Sequence, residues 1–190
     1  MVSRPDWNDI EETLFLRGKD AILQFATEHP TEVCSFFAYA WMPIEGNFSL
    51  CFDTFDHALQ MAKENEQSAI ATRKMMFEQK QAWKYALYYS TQPRIVDYAP
   101  GIDLFAYASY VDVSFHGWEE FFNSAQYPKS LDHEDDYLEG NVRLVIWKVL
   151  ERLIEGDFFS HLRLSLPFRV GYQFYDQELI VLRILNWPQH

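Results

Sequence analysis

Residues 136–188 read DYLEGNVRLVIWKVLERLIEGDFFSHLRLSLPFRVGYQFYDQELIVLRILNWP: a periodic helix, a glycine stop and two strand-like runs that together supply much of a core. Leu138, Val142, Val145, Ile146, Val149, Leu150, Leu153 and Ile154 recur at three- and four-residue steps, which stacks them on one helix face that must be buried. Asp135 or Asp136 is placed to accept the first orphan N–H groups, and Gly156 stands where a left-handed stop is expected. Beyond it, Phe168 to Phe174 alternates as a half-solvated strand does. Leu179 to Leu185 is apolar on both sides except at Arg183 and reads as an interior strand. A two-residue turn at Asp176-Gln177 would set Phe174 opposite Leu179, Tyr172 opposite Val181 and Val170 opposite Arg183. Asp-Gln is a poor primed turn, and a longer loop is the alternative.

At 190 residues and 48% hydrophobic content, the chain is long enough to bury a sizeable core, and its length favours one domain spanning 1–190. No run of 18 apolar residues occurs, and Asp6, Asp9, Glu11, Glu12 and Asp20 crowd the segment where a signal peptide would be apolar. A cytoplasmic, non-membrane protein is expected. A net charge of −12 disfavours nucleic acid and anionic lipid and favours a basic partner, although an acidic surface also serves solubility alone.

Helix signals open at Ser3 or Asp6, with an apolar face through Trp7, Ile10, Leu14, Gly18, Ala21, Ile22 and Phe25, and close at His29-Pro30. Val33 to Met42 reads as a central strand, turning at 43–47 into a returning antiparallel strand, Phe48 to Phe52. Thr54 caps a following helix whose apolar stripe is Phe55, Ala58, Leu59 and Ala62, with a break expected between Glu64 and Ser68. The pairing of Met42 with Phe48 offsets Cys34 and Cys51 by about five residues, roughly 16 Å, too far for a disulfide. Both cysteines therefore read as buried small hydrophobes. Residues 84–113 are ambiguous between helix and strand. His116 to Phe122 suggests a short helix, and 123–135 a polar loop.

The strand pair from Glu32 to Thr54 leading into a helix, the helix ending Leu150 to Phe159, and the closing Ile184-Leu185-Asn186-Trp187-Pro188 resemble the bacterial domain of unknown function 4303 family. The likeness spans most of the chain and rests on pattern and order. It departs at Phe159-Ser160, where a Phe-Gly pair is expected. The resemblance implies a compact bacterial protein with a place among toxin-immunity neighbourhoods, and it carries over no catalytic residue.

Two constellations carry chemistry. Asp132-His133-Glu134-Asp135-Asp136 has metal-compatible groups, but adjacent side chains seldom converge on one ion and no glycine bends the run; it reads as a solvated loop. Asp132, Glu134, Asp135 and Asp136 are instead expected to steer a basic protein partner, with exposed tyrosines or tryptophans as anchors. Asp53, Asp56 and His57 lie at a strand-to-helix junction, where an imidazole beside a carboxylate can shuttle protons. No nucleophile elbow, P-loop, HExxH, CxxC or GxGxxG motif defines a reaction there, and Thr54 and Asp56 already have a capping role. The expectation is a single α+β domain, with a mixed or antiparallel sheet of about four to six strands flanked by helices. In function it is expected to be an immunity-type interaction module without metal or cofactor; the alternative is a small-molecule-binding or hydrolytic enzyme at Asp53–His57.

Overall fold

The computed structural model describes residues 5–42, 46–78, 101–115, 117–118, 134–175 and 177–185, with backbone alone at 69–70, 72–78 and 134–137. Residues 84–100 of the stretch left open between helix and strand, 119–122 of the expected short helix, and 123–133 of the polar loop, Asp132 among them, lie outside these residues. Helix α1 is Trp7–Glu28, strand β1 Cys34–Met42, β2 Asn47–Thr54, helix α2 Phe55–Glu78, β3 Tyr107–Ser114, helix α3 Glu134–Glu155, β4 Leu164–Phe174 and β5 Ile180–Leu185. The strands form one mixed sheet in the order β3-β2-β1-β4-β5, with β1 and β4 parallel and the other neighbours antiparallel. The α+β reading holds: two hairpins, β1–β2 and β4–β5, meet at the sheet centre, and β3 extends the first.

Helices α1 and α3 cover one face. Asp6 caps α1, its carboxylate accepting from the N–H groups of Asn8 and Asp9, and the helix ends at His29. Strand alternation turns Phe37, Tyr39 and Trp41 toward these helices, where Leu14, Ile22, Val142, Ile146, Val149 and Leu153 meet them. Of the eight apolar positions expected on α3, seven are buried and Ile154 is half-buried. The buried Tyr39 hydroxyl donates to the Leu14 carbonyl at 2.9 Å. A Cβ at Gly18 would strike that hydroxyl and Leu153, which is why the middle of α1 carries a glycine despite its poor helix propensity. Alternate residues Phe36 and Ala38 face the other way and join Cys51, Ile102 and Phe105 in a second, smaller core.

The structure corrects several local expectations. Helix α3 begins at Glu134, which places Asp135 and Asp136 inside its first turn instead of before it. Gly156 is not left-handed; Asp157 is, at φ 55°, and Gly156 is required because Phe158 folds back to 2.5 Å from where its Cβ would lie. The roles of the last two strands are exchanged. Strand β4 sits between β1 and β5 and is buried, whereas β5 is an edge with Val181 and Ile184 exposed. An apolar run implies burial on both faces only where layers cover both, and at β5 the main core takes Ile180, Leu182 and Leu185 alone.

Val170 does oppose Arg183, but a bulge shifts Tyr172 to Ile180, and the connecting loop is the longer form. The β1–β2 register is one residue from expectation, with Met42 opposite Asn47 and Cys51 opposite Ala38. Cys34 and Cys51 consequently lie in opposite cores; both are free and buried, and burial pushes both thiols up in pKa. Helix α2 runs through 64–68 without a break, and Phe55 is partly exposed while Ala58 and Ala62 are buried. In the ambiguous region a 3-10 turn, Ile102–Leu104, leads into β3.

Candidate functional site

Strand β2 ends at Thr54, and α2 starts at the next residue, so Asp53 and His57 come together across the junction. The Thr54 hydroxyl accepts the His57 N–H at 3.3 Å, as a cap should. Asp53 Oδ1 lies 2.7 Å from His57 Nδ1 and accepts the Ala106 N–H at 3.2 Å. Asp53 is buried, and this burial holds its carboxyl above the ordinary aspartate range against the opposing pull of the Ala106 N–H and His57. Asp56 is exposed in the first turn of α2 and joins neither group. Among the described residues, no hydroxyl or thiol bonds to the outer nitrogen of His57, so the pair has an orienting acid and a base but no activated nucleophile. Its visible work is mechanical: one carboxylate ties β2, α2 and the chain leading into β3 together.

A different pattern surrounds this junction. Residues 20–62 and 101–118 include Asp20, Glu28, Glu32, Asp53, Asp56, Asp103 and Asp112 and not one Lys or Arg. The fold gathers both spans on one flank: the C-terminal half of α1, β1, β2, β3 and the start of α2. Here carboxylates meet phenols. Tyr110 donates to Glu28 at 2.6 Å, and Tyr107 to Glu32 at 3.4 Å, its oxygen also 3.2 Å from His29 Nδ1. The rings of Phe25, His29, Tyr107 and Tyr110 pack edge-on and tilted beneath them. The Tyr110 hydroxyl lowers the Glu28 pKa, while burial and then Glu28 raise that of Tyr110, so the acid keeps its charge and the phenol its proton. Arg163 touches the margin of this flank, donating to the Thr31 carbonyl at 3.1 Å.

The other flank carries ion pairs with Lys and Arg. Arg143 reaches Glu139, Lys148 reaches Glu11, Arg152 reaches Glu11 and Glu12, and Arg183 reaches Glu151, at 2.7–3.3 Å. Each such partly exposed pair stabilises by about 0–1 kcal/mol, but each also removes a charge from the outward field.

On the sheet face away from α1 and α3 lies a cleft of about 370 Å³. Its wall is the Ile102–Leu104 turn, pinned by Gln173, whose Oε1 accepts the Ile102 N–H at 2.6 Å while its Nε2 donates to the Gln177 carbonyl at 2.8 Å.

Glu134, Asp135 and Asp136 form the first turn of α3, away from Asp53–His57 in sequence and element, and the structure describes only their backbone. Neither the Glu28 and Glu32 phenol pairs nor the cleft was reached from the sequence. The missing basic residues over 20–62 and 101–118 were the available signal. Among the described residues no group of His, Cys, Asp and Glu is placed to hold a metal ion, and no helix is long and apolar enough to cross a membrane. Comparison with protein-family models, with curated proteins and with solved structures gives no match to this chain, and the likeness to the 4303 family rests on the sequence pattern alone.

Proposed function

We propose that the protein is an interaction module that recognises a basic protein partner on its β2–β3 flank, in the manner of an immunity protein. The observation that carries this reading is the segregation of charge among the described residues: on one flank Glu28, Glu32 and Asp112 accept from hydroxyls and no Lys or Arg ion pair reaches them, while the Lys and Arg ion pairs lie on the other. Glu28 is the sharpest instance. It occupies the last turn of α1, where a negative charge is unfavourable to the helix dipole, and it is held there by Gln24 one turn back and by Tyr110. Half-buried tyrosines beside such acids supply the amphipathic anchors that interfaces favour. The acidic start of α3 and Asp132 add to the long-range field that steers encounter. The sequence resemblance, with its implied immunity neighbourhoods, agrees with this reading.

The test is capture from a lysate of the source cells at low and high ionic strength. A basic protein should be retained at low salt, be released at high salt, and be lost when Glu28→Lys and Glu32→Lys are combined. Neutralising Asp132, Glu134, Asp135 and Asp136 should slow association without abolishing it. Retention of nothing, or of an acidic protein indifferent to these changes, rejects the reading. The 2.7 Å contact of Asp53 with His57 favours a second reading, hydrolytic or small-molecule chemistry at that junction. Ester, phosphoester or amide hydrolysis lost in both Asp53→Asn and His57→Ala would establish it.

A further inference from the structure

We infer that the cleft on the sheet face opposite α1 and α3 receives an arginine or lysine side chain of the basic partner; this rests on the reading above and gives it an anchor point. The hollow has a sequence cause. Pairing registers place Asp112, Ser49, Ala40 and Gln173 in one row across β3, β2, β1 and β4, and side chains in such a row share a face. The two middle residues are small, and Ala108 beside them is small as well, so the row sinks between its ends. Gln173 is committed to holding the 102–104 turn, and that turn brings Ile102 and Asp103 over the hollow as a wall.

The chemistry of the lining selects the occupant. Its floor and wall offer methyl and methylene surface from Ala40, Met42, Ala108 and Ile102, while the exposed Asp103, the single charged residue among the described lining, stands at the rim. Asp112 lies at the end of the same row, holding Ser49 through its hydroxyl. Among the described residues no Lys, Arg or His lines the cleft. An anion meets Asp103 and a net charge of −12. A wholly apolar ligand would cover the Asp103 carboxylate without a partner, which costs free energy. A cation on a flexible apolar stem satisfies both surfaces: the stem lies along the floor, and the head meets the carboxylate at the rim. The volume is near the small end of ligand sites, about 300–1,000 Å³, which suits one long side chain better than a large cofactor.

The experiment titrates the full chain with a short peptide of alternating glycine and arginine, and with the glutamate version as control, by calorimetry. Variants are Ser109→Trp, which fills the mouth from an exposed position; Asp103→Asn, which removes the rim charge; and Glu155→Gln, which removes one exposed charge from α3. Circular dichroism melts confirm that each is folded. The inference expects arginine-peptide binding to weaken about tenfold or more in each of the first two and to stay unchanged in Glu155→Gln, with no binding of the glutamate peptide. Equal losses in Asp103→Asn and Glu155→Gln would mean that net charge alone is felt, and would overturn the inference. An unchanged constant in Ser109→Trp, or no binding to the wild type, would overturn it too. If the lysate capture still succeeds through Glu28 and Glu32, the cleft alone is rejected; if both fail, the basic-partner reading falls with it.

Discussion

The two flanks of the sheet differ in what their carboxylates touch. On the α3–β5 side, Glu11, Glu12, Glu139 and Glu151 each face an arginine or lysine, and Arg152 also lies 3.9 Å from the Phe15 ring centre. On the β2–β3 side, Glu28 and Glu32 accept from tyrosines and Asp112 from a serine. Neutral donors orient an acid without cancelling its charge. Among the described residues, carboxylates held by hydroxyls therefore keep their charge on the β2–β3 side, while those held by Lys or Arg on the other side do not add to the outward field. What the comparison teaches is that ion pairs and acid–phenol pairs, alike as contacts, have opposite consequences for recognition.

Perturbations of the shared core should break both flanks together. Ile146, fully buried in the middle of the α3 face, packs beneath both, and Ile146→Asp is expected to cost about 4 kcal/mol or more, or to abolish folding. A thermal melt near wild type would mean that the face is misread. Gly18→Ala tests the α1 side of that core. Propensity alone would favour alanine by about 1 kcal/mol, but the clash with the bonded Tyr39 hydroxyl should reverse the sign and cost about 1–3 kcal/mol. Denaturant titration showing a gain in stability would contradict the packing of Tyr39 against α1.

On the acidic flank, Thr54→Ala should cost about 1 kcal/mol as a lost cap and leave partner binding intact. The smallest effect concerns Asp53. Because burial raises its folded pKa, its contribution is fully present below the ordinary aspartate range and is lost as pH rises through the raised value. Asp53→Asn should flatten that part of the stability–pH profile. A wild type that gains on the variant as pH rises through the window would contradict the sign.

Much of this fold is legible in the sequence because burial is periodic. The α3 face, the α1 face with its Asp6 cap, and the central β1 follow from spacing and local hydrogen-bond chemistry. What misled were features that depend on neighbours. Nothing within Leu179–Leu185 says that β5 is an edge, and nothing in Asp176-Gln177 announces the bulge opposite Val170. The helical spacing of Asp53 and His57 across the junction brings them together, so that pair was within reach of the sequence. The cleft was not. It depends on Gln173 pinning a turn 71 residues earlier in the chain, a contact no local pattern encodes. The charge segregation lies between these cases: its missing basic residues are plain in the sequence, but only the strand order β3-β2-β1 gathers the two spans on one side.

The central claim is that charge position, not charge total, directs recognition. Its most direct test measures association of the captured basic partner with two double reversals of equal net charge, Glu28→Lys with Asp112→Lys on the acidic flank and Asp9→Lys with Glu155→Lys on the helical layer, by stopped-flow over a range of ionic strength. The account predicts that the first pair slows association by about tenfold or more at low salt and flattens its salt dependence, while the second changes both far less. Equal slowing by the two pairs would show that the partner responds to net charge alone and would contradict the assignment of the β2–β3 flank.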